Sequence, residues 1–386
     1  FVRGHICLAK ETGATIIYGP KAEMGFDALI AKDQQEFKIG DITLTVLHTP
    51  GHTMESTTYL LRDSSNKDIA IFSGDTLFLG DVGRPDLAQK SGNITQDDLA
   101  GILFESLRTK IMPLADDVLV YPAHGSGSAC GKNLSKETVG TLGEQKKTNY
   151  ALRADMTKKE FIREVTDGLL PPPEYFPLNV KMNKDGYKDI DKVLKTGTTA
   201  LDPDSFEKLA NQNRAIILDV RHQDDFAKEH SPQSIFIGLD GGFAPWAGTM
   251  IGDITLPILL ITPNGREEET VTRLARVGFD NTLGYLKGGL KAWKKDKRVT
   301  DSVNCIGAKN FFELDKNVGL DIFDLRKQGE YASEHIPFSQ NIPLDIINQN
   351  MNLLPKVSPF YIHCAGGYRS MIAASILKSR GIHNFI

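Results

Sequence analysis

Cysteine is scarce in this chain: Cys7, Cys130, Cys305 and Cys364 are the four thiols among 386 residues. So few, so widely scattered, they exclude a disulfide framework and suit a reducing compartment, where free thiols are available for chemistry. No stretch approaches the roughly 18 apolar residues needed to cross a bilayer. The N-terminus also lacks the basic, apolar, small-residue order of a secretion signal. A cytoplasmic location with no membrane partner is therefore expected. Neither sign of charge is in excess, with 45 basic against 49 acidic residues and a net charge of -4. That balance offers no polyanion-binding surface, and no nucleic-acid partner is expected. What remains is an ordinary globular composition, 40% hydrophobic and 24% charged. At about 100 to 200 residues per domain the length implies two to four domains.

The first third alternates short apolar runs with turn signals: "ATIIYG", "ITLTVLHTPGH", "TTYLL", "DIAIFSGD" and "DVLVYPAHG". β-Branched runs bounded by Gly, Pro and Asp read as buried strands, which puts His52, Asp75 and His124 at strand ends or on the loops beyond. From about 143 to 167 the pattern is charged and helical, and the proline-rich "LLPPPEYFP" then breaks it. A second boundary falls near 300. Between these edges and the end lies an internal repeat: "LDVRHQDDFAKEHSPQSIFI" matches "FDLRKQGEYASEHIPFSQNI" at a constant offset of 105, pairing Asp219 with Asp324, Arg221 with Arg326 and His230 with His335. A period this long fits two tandem copies of one α/β domain. The chain opens at Phe1 rather than Met, and its closing "SRGIHNFI" reads as a strand just beginning; the natural product is expected to extend past both ends.

In the second copy "FYIHCAGGYRSMIAASILKSRGI" reads as strand, glycine turn and a helix starting near Ser370. Such a turn aims the N–H groups of Ala365, Gly366, Gly367, Tyr368 and Arg369 at one centre and adds the positive end of a helix dipole. With Arg369 adding charge, Cys364 is expected to have a lowered pKa and to act as a nucleophile. A lone cysteine at a strand end is more often an inert buried thiol, but the paired glycines, the arginine and the strand-turn-helix context favour the reactive reading. The segment resembles the active loop of rhodanese sulfurtransferases, and the Asp-x-Arg of each copy and "YLKGGLKAW" of the first add to that resemblance. Related phosphatases use a loop one residue longer, so the resemblance implies sulfane sulfur rather than phosphate as cargo. The first copy, "LLITPNGREEETVTRLARVGF", places Ile261 or a neighbour opposite Cys364 and has no cysteine there. A structural role is expected for it.

"HTPGHT", "FSGDTLF" and "YPAHG" each deliver an imidazole or a carboxylate after an expected strand. His52, Asp75 and His124 suit zinc or non-haem iron, and a 2-His-1-carboxylate set leaves positions for substrate and dioxygen. Each of the three alone has a bland reading as a turn or capping residue; together they do not. The trio resembles the later motifs of the metallo-β-lactamase fold. In that resemblance the opening His-x-His-x-Asp-His motif lies upstream, and Phe1 falls at its last His, which implies a single metal ion. "SGDTLFLGDVGRPDL" is most similar to the persulfide dioxygenases, whose likeness implies Fe(II) held by an upstream His, His52 and Asp75. His124 then lines the site, and Arg84 is a candidate to contact the anionic tail of a thiol substrate.

The expected fold class is multidomain α/β: a metallo-β-lactamase αββα sandwich with a helical extension over 1–190, then two rhodanese-like domains with parallel sheets over 195–300 and 301–386. The expected function is a mononuclear Fe(II) persulfide dioxygenase fused to a sulfurtransferase, acting on a small-molecule thiol persulfide, dioxygen and sulfite, with assembly as a homo-oligomer allowed. The alternatives are a glyoxalase II-like zinc thioester hydrolase fused to a sulfur carrier, and a non-catalytic carrier. Residues 196–300 alone are expected to transfer no sulfur; measurable transfer by that fragment would overturn the structural role given to the first copy.

Overall fold

The computed structural model describes residues 2, 4–87, 94–126, 128, 130–132, 134–169, 172–173, 175–315 and 319–386. The chain divides into two compact units, one spanning Leu8–Pro173 and the other Glu174–Ile386 together with Phe1–Cys7.

In the Leu8–Pro173 unit a short parallel pair, β1 (Ile17–Tyr18) and β2 (Leu29–Ile30), accompanies a six-stranded sheet. That sheet runs β3 (Glu36–Ile39), β4 (Ile42–His48), β5 (Thr57–Arg62), β6 (Asp68–Gly74), β7 (Leu119–Pro122) and β8 (Gly140–Thr141) in spatial order. Helix Gln96–Ser106 starts at a Thr95–Asp98 capping box and buries Leu99, Ala100 and Leu103. It packs on helix Lys158–Thr166, which contributes Phe161 and Val165 to the same core as Leu47, Leu60 and Ile71. The charged stretch from 143 to 167 is thus two helices, Leu142–Thr148 and Lys158–Thr166, rather than one. Asn149 leaves helical backbone at φ -78, ψ 118 and caps the turn after it, and Thr157 opens a second capping box.

The other unit holds two parallel sheets. The first has the order β11 (Ile235–Phe236), β10 (Ile216–Asp219), β12 (Ile258–Ile261), β13 (Thr282–Leu286) and β9 (Ala200–Leu201). The second repeats its centre as β15 (Gln340–Asn341), β14 (Ile322–Asp324) and β16 (Tyr361–His363). The closing residues begin a further pairing, with Phe385 bridging Phe360 in parallel. Repeat matching extends to side chains. Arg221 Nη2 reaches Asp219 Oδ2 at 2.6 Å and the Glu229 carbonyl at 2.8 Å, and Arg326 reaches Asp324 Oδ2 and the Glu334 carbonyl, each at 2.6 Å. His230 and His335 each bond a carbonyl one helical turn back at 2.8 Å. The Asp-x-Arg and Glu-His signatures are therefore a clamp that pins the end of one strand to the helix that follows it.

The residues expected to extend the first domain to 190 pack in this second unit instead. Residues from 175 on belong to that unit: Tyr175 is buried in its core, with Phe176 and Ile190 packed against it. A helix that sinks its apolar face between these groups joins the domain that supplies them.

Candidate active sites

Strand β4 is antiparallel to β5, and β5 to β6, so β4 and β6 point the same way; β7 is parallel to β6. The C-terminal ends of β4, β6 and β7 therefore share one edge of the sheet. His52, Asp75 and His124 all leave from that edge. Buried hydroxyls tie the first two loops together, Thr49 Oγ1 lying 3.1 Å from Thr58 Oγ1 and 2.8 Å from Thr76 Oγ1.

His52 Nδ1 lies 2.9 Å from the Arg84 carbonyl oxygen. A carbonyl can only accept, so Nδ1 is the N–H donor, and in the neutral ring this leaves the lone pair on Nε2, the usual arrangement of a metal-ligating imidazole. That Nε2 lies 3.5 Å from Asp75 Oδ2. Two atoms each about 2.1 Å from a tetrahedral ion stand about 3.4 Å apart, so the donor set fits two ligands of one cation. Asp75 Oδ1 turns the other way and bonds His124 Nδ1 at 2.6 Å, too close for both to ligate through these atoms. Burial opposes a charge on His124, yet its hydrogen bonds to Asp75 and Cys130 raise its pKa to about 9.

Cys130 was not singled out by its sequence surroundings, yet ligand atoms of Asp75, His124 and Cys130 all lie within 4.8 Å of one another. The trio could itself hold a cation. The orientation of His52 and its spacing from Asp75 favour those two as ligands, with His124 engaging the other carboxylate oxygen. The one sequence signal for Cys130 is its place in the same glycine-containing loop as His124. Among the contacts that hold that loop, the Arg84 N–H donates to the Cys130 carbonyl at 3.0 Å, and the Lys132 N–H to Asp81 Oδ2 at 2.5 Å.

Gly83 lets the 81–84 turn lie against both ligands; a Cβ there would sit 1.8 Å from the Asp75 carbonyl oxygen and 2.9 Å from His52 Nδ1. Arg84 meets the site through its backbone carbonyl, 2.9 Å from His52 Nδ1. Its side chain is only 5% exposed, and Nε and Nη2 each lie 2.6 Å from the Asp86 carboxylate. The guanidinium pairs with Asp86, and the carbonyl orients His52. Phe1 lies outside the described residues.

In the second unit Cys364 follows β16 directly, and its loop runs through Ala365, Gly366 and Gly367 into a helix that begins at Tyr368, two residues before the expected Ser370. Gly367 takes the left-handed conformation at φ 81, which turns the chain into the helix. The Ser370 N–H points at Cys364 Sγ from 3.4 Å, and the Ser370 hydroxyl lies 3.5 Å away. Burial resists ionisation of the thiol, but hydrogen bonds from Ser370 and from the Gly366 and Gly367 amides outweigh it and lower the pKa. Arg369 has an acidic partner of its own. Its guanidinium grips Glu330 at 2.6 and 2.9 Å, and that hydrogen-bonded pairing holds the Glu330 carboxyl down at about 2. Ser370, which the sequence marked only as a helix start, is thus the main side chain supporting a thiolate.

A lowered folded-state pKa moves thiolate reactivity to lower pH. Alkylation of Cys364, followed at its peptide by mass spectrometry, should have its midpoint below the ordinary thiol value of about 8.5. Ser370→Ala should move that midpoint upward by about half a unit or more; an unchanged midpoint would remove Ser370 from the account.

Comparison with known proteins agrees with this layout. The rhodanese-like domain model matches residues 202–296 and 309–386. An uncharacterized protein of Mycobacterium tuberculosis (strain ATCC 25618 / H37Rv) is 36% identical over 125 residues, 32% of this chain and 50% of that protein. The human mitochondrial persulfide dioxygenase ETHE1 is 29% identical over 152 residues, 39% of this chain and 51% of that protein. The chain spans about half the length of the curated relatives it matches. A crystal structure of a metallo-beta-lactamase from Staphylococcus aureus subsp. aureus COL superimposes with a TM-score of 0.65 at 28% identity, covering 74% of this chain and 82% of that one. Among the described residues no helix is long and apolar enough to cross a membrane. The chain thus joins a metallo-β-lactamase-fold unit to two tandem rhodanese-like domains.

Proposed function

We propose that this chain is a persulfide dioxygenase and sulfurtransferase. The observation that carries the reading is the pairing, within one polypeptide, of an oriented His52–Asp75 ligand pair with a Cys364 thiol whose ionisation its own loop favours. His52 and Asp75 would hold a non-haem iron(II) ion together with an upstream residue, and bound iron would supply dioxygen activation, which no side chain provides. The net reaction is RSSH + O2 + H2O giving RSH + SO3(2-) + 2 H+. The likeness to a persulfide dioxygenase supports it.

The protein's own residues supply the rest. The Arg84 carbonyl and Gly83 fix the His52 ring, and His124 holds the second Asp75 oxygen, so the carboxylate cannot rotate away. At the second site the Cys364 thiolate attacks the outer sulfur of a persulfide, RSSH, releasing the thiolate RS(-), which takes a proton from water, and leaving a cysteine persulfide. Sulfite then takes that outer sulfur to give thiosulfate, and the Cys364 thiolate is restored as leaving group. The Ser370, Gly366 and Gly367 N–H groups stabilise the anion at both stages.

Turnover of glutathione persulfide by the iron-loaded full chain, with sulfite and thiosulfate separated by chromatography, tests the pairing of roles. Cys364→Ser should keep persulfide consumption while sulfite replaces thiosulfate as the product; His52→Ala should lose consumption by about a hundredfold or more. Equal thiosulfate yield from Cys364→Ser would sink the sulfur-carrier role. Hydrolysis of a glutathione thioester by the zinc-loaded chain, with no consumption of persulfide, would favour the thioester hydrolase instead.

A further inference from the structure

The rhodanese-like domain without a cysteine keeps the same architecture as its partner, and its strand register shows what became of its loop. Asp219 stands opposite Ile261 as Asp324 stands opposite His363. Thr262, the neighbour of Ile261, therefore occupies the place of Cys364. Its loop cannot receive an anion, because Glu267 fills it: the Gly265 N–H donates to Glu267 Oε1 at 3.2 Å and the Thr262 hydroxyl at 3.4 Å.

The same loop and its helix, Glu267–Ala275, have another use. Arg273 Nη1 donates to the Leu239 carbonyl at 2.6 Å, and Arg266 Nη1 bonds Asp240 at 2.6 Å. Together they brace the turn from Gly238 to Gly241. Against that turn lies Tyr368, from the Cys364 loop of the other domain. Its hydroxyl donates to the Gly238 carbonyl at 2.6 Å, and its ring meets Phe236 edge-on at 5.8 Å. A Cβ on Gly241 would lie 2.3 Å from Tyr368 Cζ, and one on Gly238 would lie 3.0 Å from Cε2. Neither glycine has a positive φ, so packing rather than backbone conformation requires them: the Tyr368 ring at Gly241, and both that ring and Phe236 Cζ, 2.9 Å away, at Gly238. Burial keeps the phenol protonated and able to donate.

Resting on the reading of Cys364 as a sulfur carrier, we propose that the cysteine-less domain is the positioning element of the sulfur-carrying loop, holding it through Tyr368 in a socket formed by Gly238 and Gly241. The loop needs such an anchor. A Cβ on Gly366 or Gly367 would meet nothing within 4 Å, so the turn itself has little packing. Tyr368 is the first helical residue, and Ser370, whose N–H meets the Cys364 sulfur, follows two positions later. A second tie lies deeper in the same helix, where the Phe236 N–H donates to the buried Ser375 hydroxyl at 2.9 Å. Helix position and amide direction at the thiolate are thus set from the neighbouring domain. Tyr368 is a positioning residue that acts on Cys364 through Ser370 and the loop amides.

The test uses the full chain, with two readouts. One is the pH profile of Cys364 alkylation, which needs neither iron nor sulfur transfer. The other is the kcat and KM of thiosulfate-to-cyanide transfer. Gly241→Ala should raise the alkylation midpoint by about half a unit and lower kcat about tenfold with little change in KM. Tyr368→Phe, which keeps the ring but loses the hydrogen bond, should fall between this variant and the wild type. In a Tyr368→Ala background Gly241→Ala should have no further effect, as coupling through one contact requires.

A wild-type profile and turnover for Gly241→Ala would overturn the proposal, as would an equal effect of that change with or without Tyr368. Should Gly241→Ala fail to fold, Tyr368→Ala decides the matter: wild-type alkylation and kcat overturn the socket, and losses in both support it. A wild-type chain that transfers no sulfur, but whose Cys364 profile still moves with Gly241→Ala, would overturn the sulfurtransferase reading and leave the socket standing.

Discussion

One carboxylate facing two imidazoles sets the character of the first unit. Asp75 turns Oδ2 toward His52 Nε2 and Oδ1 toward His124 Nδ1. This is possible only because β4, β6 and β7 end on the same edge of one sheet, and their co-direction follows from an odd antiparallel strand, β5, between the first two. The buried threonine hydroxyls, the Gly83 contact and the Arg84 carbonyl then serve to keep that carboxylate and the His52 ring in register. A cation placed between them would find its ligands already turned toward it, which lowers the ordering cost of binding.

The second unit solves a different problem with backbone. A thiolate half-sheltered from water needs donors, and the turn after β16 supplies amides at a helix start instead of a free cationic side chain. Arg369, the obvious candidate for that task, spends its charge on Glu330, which fixes the helix beside the loop. The degenerate domain retains the clamp and the sheet of its twin but fills its own loop with Glu267. Of the two copies, one carries Cys364 after its central strand and the other has Thr262 at the same place.

Much of this was legible in the sequence, because it depends on local patterns. Apolar runs ending in Gly or Pro marked the strands from β4 to β7 and their terminal His52, Asp75 and His124. The offset of 105 between copies exposed the paired Asp-x-Arg clamps. The gaps arose where distance along the chain hid proximity in space. Cys130 approaches Asp75 only because Asp81 and the Arg84 N–H draw its loop inward. The partners of Arg84 and Arg369 depend on side-chain geometry that composition does not carry. The short strand Glu36–Ile39 alternates without a buried face, and the helices after 175 join the second unit because their packing partners lie there.

The central claim is that the first unit oxidises a persulfide sulfur with dioxygen. Its most direct test is an oxygen electrode trace of the iron-loaded, full-length protein given glutathione persulfide. The account predicts one dioxygen consumed for every two thiols released, one thiol at each site as thiosulfate forms, and no turnover under argon. Thiol release that proceeds equally well without oxygen would contradict it.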